Sequence, residues 1–86
     1  MAKITIRYWA AAKEAAGVPE ESVEASTLAG ALAAVLAARP DDDRLRQVIS
    51  RSSFLVNALP VRRAAHEETV LEDGATIEVL PPFAGG

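Results

Sequence analysis

Few residues of this sequence have the type and spacing that chemistry needs. His66 is the only histidine of the 86 residues. A general base or metal ligand needs an orienting partner or co-ligands. His66 instead sits beside Glu67 and Glu68 in a polar stretch and reads as a solvated loop histidine. Asp41-Asp42-Asp43 lacks the spacing and glycine of an EF-hand loop and reads as an acidic cap at a helix N-terminus. Ser50, Ser52 and Ser53 have no nucleophile-elbow context. Neither a P-loop nor a dinucleotide glycine pattern is present. The chain has no cysteine, which excludes disulfides, thiolate metal sites and cysteine nucleophiles. What remains is the ending, "LPPFAGG", residues 80–86. Pro81-Pro82 makes a stiff exit that projects the following residues outward. Phe83 and Ala84 follow, then Gly85 and Gly86, which let another protein approach the backbone closely. An extended Ala84-Gly85-Gly86 fits a narrow channel. The α-carboxylate of Gly86 stands on an unhindered carbon, open to an activating enzyme. The competing reading is a tail that frays without a role.

The elements that must position this tail follow from hydrophobic period. Lys3–Trp9 alternates, with Ile4, Ile6 and Tyr8 on one face and Lys3, Thr5, Arg7 and Trp9 on the other, which predicts a strand. Ala10–Ala16 reads as a short helix closed by Gly17. Pro19 restarts an extended segment over about 21–25. Ser26 or Thr27 can cap the next helix, whose Leu28, Leu32, Val35 and Leu36 form one apolar stripe. Gly30 inside it implies a packing reason. Pro40 ends that helix, and Leu45, Val48 and Ile49 share a face of a shorter one. Phe54-Leu55-Val56 reads as a strand and Asn57-Ala58 as a turn into Leu59–Arg62. Residues 63–69 read as a polar loop. Glu72-Asp73-Gly74 is a turn signal. Thr76–Leu80 is the last strand, with Ile77 and Val79 inward, and Pro81 stops it. The order β-α-β-α-α-β-β-β predicts an α+β domain: a mixed four- to five-stranded sheet packed on one main helix. Residues 1–80 form the domain and 81–86 a flexible tail.

Composition narrows the function class. Half of the residues are hydrophobic, enough for one modest core and too few for two. The net charge of −3 comes with no Lys/Arg stripe, which argues against a nucleic-acid partner. No apolar run approaches the roughly 20 residues of a membrane span. "MAKITIRYWA" goes directly into a strand pattern without a signal-peptide core, so a cytoplasmic protein is expected.

"LEDGATIEVLPPFAGG" resembles the C-terminal signature of the MoaD/ThiS sulfur-carrier family, ubiquitin-like β-grasp proteins ending in Gly-Gly. "ITIRYWAAAKEAAG" is similar to the family's first strand and short helix, and "FLVNALPV" to its central hairpin. The resemblance covers nearly the whole chain. "PPFAGG" points to the small subunit of molybdopterin synthase more than to the thiamine sulfur carrier. It implies that an E1-like (MoeB-like) enzyme uses ATP to adenylate Gly86, and that sulfide or a persulfide displaces AMP to leave a thiocarboxylate. The charged tail then enters the active site of a large (MoaE-like) subunit and gives its sulfur to a pterin precursor, building the molybdopterin dithiolene. The chain would bind no cofactor or metal and would not be an enzyme on its own. With the usual dimeric partner the assembly would be an α2β2 heterotetramer. The family's partner-facing positions fall on Trp9, Leu59 and Leu80, with Phe83, Ala84 and Gly85 inserted ahead of Gly86. Carriers for thiamine, cysteine or tRNA thiolation remain open, as do a ubiquitin-like modifier joining lysines through Gly86 and a binding module with an inert tail. Two departures stand out. Phe83 replaces the family's valine or similar residue, a larger anchor. Asn57-Ala58 replaces the usual Asn-Gly, so another turn type or a bulge is expected.

Overall fold

The computed structural model describes residues 2–62 and 65–82. The elements are β1 (Ala2–Tyr8), α1 (Ala10–Ala16), β2 (Glu20–Ala25), α2 (Leu28–Ala37), α3 (Asp43–Arg51), β3 (Ser53–Val56), β4 (Leu59–Val61) and β5 (Thr76–Leu80). The strands form one sheet in the order β2-β1-β5-β3-β4. β1 and β5 run parallel at its centre, and every other pairing is antiparallel. The first and last strands are therefore neighbours, with β2, reached through α1, on one flank and the β3–β4 hairpin on the other. This is the β-grasp arrangement, with five strands.

Alternation decides which face is buried. Ile4, Ile6 and Tyr8 of β1, Ile77 and Val79 of β5 and Phe54 of β3 are buried against Leu28, Ala31, Leu32 and Val35 of α2. The cover is broader than one main helix. Leu45 and Ile49 of α3 and Ala12 of α1 are buried in the same core. Local signals start and stop the helices. Thr27 accepts a hydrogen bond from Gly30 N at 3.1 Å and Asp42 one from Leu45 N at 2.9 Å, so both helices begin on side-chain caps. A Cβ at Gly30 would stand 3.2 Å from the Thr27 hydroxyl, so glycine there spares the cap. Gly17 closes α1 at φ 81, a left-handed conformation that glycine adopts without strain.

Residues 65–71 fold over the start of α2. Ala29 N donates to His66 O, Leu28 N to Thr69 O, and Leu71 N to Ser26 O. Two of these bonds serve N–H groups that the helix leaves without intrahelical partners. His66 is thus not a solvated loop side chain. It is half-buried, and its ring meets Phe54 edge-on at 5.0 Å.

Arg39 ties three elements together, and Glu21 brings in a fourth. It donates to Val35 O in α2 and Ala16 O at the end of α1, both at 3.4 Å, and pairs with Glu21 of β2 at 2.7 Å. The Tyr8 hydroxyl donates to the same carboxylate oxygen at 2.5 Å. Helix-end carbonyls and a half-buried carboxylate are satisfied by one guanidinium.

The β3–β4 turn keeps a two-residue loop despite the missing glycine. Val56 pairs with Leu59, and Asn57 and Ala58 have φ of 50° and 69°. Positive φ at both central residues is the type I′ pattern, so neither the bulge nor the alternative turn is used. Asn57 is anchored to β5 through its N–H to Thr76 O at 2.8 Å and its side chain to Thr76 N at 3.0 Å. That anchoring leaves Ala58 to carry the strain.

Two outcomes follow. Ala58→Gly relieves a left-handed cost of about 1–2 kcal/mol against the roughly 0.5–1 kcal/mol that glycine loses in chain entropy. The urea midpoint should therefore rise, by up to about 1.5 kcal/mol in stability, and a lowered midpoint contradicts the turn assignment. Burial, then the hydrogen bond to Glu21, pushes the Tyr8 hydroxyl pKa well above its ordinary value of 10.0. The folded state retains a proton that the unfolded state releases. The Tyr8 contribution is therefore complete below pH 10 and shrinks as pH rises from there, by up to about 1.4 kcal/mol per pH unit. Denaturant titrations of wild type and Tyr8→Phe should converge in this alkaline range, and parallel curves would contradict the buried hydroxyl.

Candidate functional site

The site is the root of the C-terminal segment and the sheet face beside it. β1 and β5 pair in register from Thr5↔Thr76 to Tyr8↔Val79. Trp9 N donates to Val79 O at 3.2 Å, which carries the parallel ladder one step further and sets Trp9 opposite Leu80. Tyr8 and Val79 point into the core, so Trp9 and Leu80 take the outer face by alternation. Trp9 is 42% exposed and Leu80 half-buried. The Arg7 guanidinium lies 5.1 Å from the centre of the Trp9 ring, a cation–π distance that steadies the indole. The chain then reverses sharply: Ala10 has φ 48 and begins α1. Backbone strain of this kind concentrates where a neighbouring side chain must be held in place.

The same alternation sorts the remaining outer-face residues. Leu55 pairs with Glu78 and with Pro60, and Arg7 pairs with Glu78. Trp9, Leu80, Leu55 and Pro60 thus share the face away from the helices. Leu59 does not. It pairs with Val56, two residues from buried Phe54, so it stands on the helix side of the sheet, at the edge, and is 69% exposed. The sequence reading of Phe54-Leu55-Val56 as a strand assigns no face to Leu55, and neither Leu55 nor Pro60 is singled out there. The inward Phe54 is the signal that sends Leu55 outward.

Pro81 is buried and Pro82 exposed. The first proline is packed against the domain and the second leads away from it. Phe83, Ala84, Gly85 and Gly86, the residues expected to carry the chemistry, lie outside the described residues. An open groove of about 700 Å³ runs beside Trp9, lined also by Arg7, Ala10, Lys13, Val18 and Pro19. Its walls carry both charge signs and no nucleophile–base pair. Among the described residues no group of three His, Asp or Glu side chains is placed to hold a metal ion. Asp42 and Asp43 are engaged locally, the first as the α3 cap and the second with Arg46 at 3.1 Å. No described helix is long and apolar enough to cross a membrane. This arrangement sets the Pro81-Pro82 exit beside an apolar face. Among the described residues the side chains assemble no catalytic constellation.

Comparison with known proteins agrees with this geometry. The ThiS family matches residues 6–86. A molybdopterin synthase sulfur carrier subunit from Chlamydomonas reinhardtii is 32% identical over 87 residues, which cover 98% of this chain and 99% of the relative. The solution structure of small archaeal modifier protein 1 from Methanosarcina acetivorans superposes with a TM-score of 0.83 at 27% identity, covering 100% of this chain and 98% of that one. A complex of subunits 1 and 2 of molybdopterin-converting factor from Helicobacter pylori gives a TM-score of 0.67 at 21% identity, with 98% and 99% covered, and shares the fold. Strand order, outer-face placement and a match over nearly the whole length together establish that this chain belongs to the ThiS family, a sulfur carrier of the MoaD/ThiS kind on the ubiquitin-like β-grasp fold.

Proposed function

We propose that this carrier is the small subunit of a molybdopterin synthase and that the carboxylate of Gly86 carries the sulfur. The near full-length likeness to a molybdopterin synthase sulfur carrier subunit supports the pathway. The observation that carries the mechanism is the placement of Trp9 and Leu80 side by side at the root of a Pro-Pro-led glycine tail. Large apolar side chains on the outer face suit a partner better than water.

The chemistry needs no side chain of this protein. An E1-like enzyme binds ATP, and a Gly86 carboxylate oxygen attacks the α-phosphorus and expels pyrophosphate. Hydrosulfide, or the terminal sulfur of a persulfide followed by thiol reduction, attacks the acyl carbon. The bond to the phosphate oxygen breaks and AMP leaves. The resulting thiocarboxylate enters the large subunit behind Phe83, Ala84 and Gly85 and transfers its sulfur to a pterin precursor. Hydrolysis restores the carboxylate. The carrier contributes the sulfur and its delivery, and the partner contributes the catalytic groups. Use of ATP and of a reduced sulfur donor supports a cytoplasmic setting for this work.

A second reading is favoured by one observation. The 27% identity to a small archaeal modifier protein, over the full length of both chains, supports conjugation through an isopeptide bond from Gly86 to a lysine. The same adenylate would serve, with an amine replacing the sulfur nucleophile.

Two expected outcomes test the proposal. In a system of activating enzyme, ATP, sulfide, large subunit and pterin precursor, wild-type carrier should yield dithiolene product. Deletion of Gly86 should abolish it with an unchanged melting temperature, because a terminal residue contributes little to the core. Accumulation of high-mass lysine conjugates without product would select the modifier reading. For the docking face, Trp9→Ala, Leu55→Asp or Leu80→Asp should each weaken large-subunit binding at least about tenfold, as interface anchors do, when titrated by calorimetry. Leu59→Asp should weaken it less. Equal losses at all four positions would contradict the outer-face assignment.

A further inference from the structure

The sheet ends in two edge strands, β4 and β2, and they are finished differently. Asn57 N donates to Thr76 O, so Leu55 bonds toward β5 while Phe54 and Val56 bond toward β4. Pro60, opposite Leu55, therefore turns its backbone outward, where it has no N–H to offer. With only three residues, that edge is short and blunted. β2 has six residues and no proline. Thr5 N donates to Ala75 O and Trp9 N to Val79 O, while Tyr8 N donates to Pro19 O at 2.9 Å. The odd-numbered residues of β1 thus bond to β5 and the even-numbered ones to β2. With Ile4 opposite Val23 and Ile6 opposite Glu21, Val23 and Glu21 bond inward. Glu20, Ser22 and Glu24 turn their N–H and C=O groups to the open side, and all three residues are exposed. Among the described residues none of these three has a backbone bond beyond the β1 ladder.

The side chains on this edge select what can pair with it. Glu20 and Glu24 lie on the outer face, about 13 Å apart along the strand. Their cross-strand neighbours are Arg7 and Lys3. Among the described residues neither glutamate is in an ion pair, and Arg7 stacks on Trp9 instead. On the helix face Glu21 is held by Arg39 and Tyr8, and half-buried Val23 offers apolar surface. A second copy paired antiparallel here, centred on Ser22, would set Glu20 against Glu24 twice. Like charges directly opposite are destabilising, so the edge is set against its own copy.

We propose that the open edge of β2 takes an added strand from a partner protein, an extended segment with Lys or Arg at both ends of a five-residue stretch and an apolar residue beside Val23. Backbone bonds to Glu20, Ser22 and Glu24 supply the affinity. Two cations opposite Glu20 and Glu24 supply the selection, and the apolar residue covers Val23. The edge is built from described strand residues alone and does not depend on the proposed sulfur chemistry.

Amide NMR on the full chain, titrated with the capped peptide Lys-Val-Thr-Val-Lys, tests it. This peptide presents the same pattern in either strand direction. The Glu20, Ser22 and Glu24 amides should shift together, and their hydrogen exchange should slow as the peptide saturates. The double variant Glu20→Lys, Glu24→Lys should bind the lysine peptide at least about tenfold more weakly and gain affinity for Glu-Val-Thr-Val-Glu by a similar factor. Ser22→Pro, which removes an outward donor, should also weaken the lysine peptide. Absence of shifts at these amides, shifts without slowed exchange, or equal affinity of the wild type for both peptides would overturn the proposal. Movement of the same amides on dilution without peptide would overturn it in favour of a second copy as the occupant. None of these readouts involves sulfur transfer, so a failed activity assay leaves this test intact.

Discussion

Everything at this site depends on the parallel pairing of β1 with β5. A parallel pair cannot be closed by a hairpin, and here almost the whole chain, three helices and three further strands, lies between the partners. The pairing brings the start of the domain against its end. It sets Trp9 opposite Leu80 through the bond from Trp9 N to Val79 O, and it releases the C-terminal segment from the centre of the sheet rather than from an edge. A tail leaving an edge strand would have unpaired backbone beside it. A tail leaving the centre is flanked by side chains, which gives a partner something to grip beside the group it must accept.

The rest of the fold keeps that pairing in place without contributing reactive groups. Arg39 draws the ends of α1 and α2 toward Glu21, and Glu21 holds Tyr8, the residue just before Trp9. One half-buried carboxylate thus couples the helix layer to the strand that leads into Trp9 and the outer apolar face. On the other flank, the segment from Ala65 to Leu71 closes the start of α2, and His66 supports Phe54 from beneath. Of the polar groups that could have suggested catalysis, His66 packs on Phe54, Asp42 caps α3 and Asp43 pairs with Arg46. The division fits the proposed carrier role, in which the body positions the C-terminal segment and supplies no reactive side chain.

Much of this was legible in the sequence because local signals and global packing agree. The alternation of Ile4, Ile6 and Tyr8, the Gly17 cap, the Thr27 cap and the Pro81 stop each mark an element that the structure contains. Ile77 and Val79 were readable as inward for the same reason. What was not legible depended on partners distant in sequence. His66 looked solvated because nothing near it in sequence reveals Phe54. The role of Arg39 is invisible without the helix ends it reaches. Asn57-Ala58 argued against a tight turn by its alanine, yet the anchoring of Asn57 to Thr76 keeps the left-handed pair. Leu59 was assigned by resemblance, and only the register against Val56 shows it on the other face from Leu80. Phe83 to Gly86 were legible as a motif, and that motif carries the proposed chemistry.

The central claim is that the reactive group of this protein is the carboxylate of Gly86. Intact mass spectrometry of the purified chain, after incubation with an E1-like activating enzyme, ATP and sulfide, tests it directly. The account predicts a mass gain equal to the exchange of one oxygen for one sulfur, located to Gly86 by fragmentation and dependent on ATP. An unchanged mass with an enzyme that activates another carrier under the same conditions, or sulfur found on any residue other than Gly86, would contradict it.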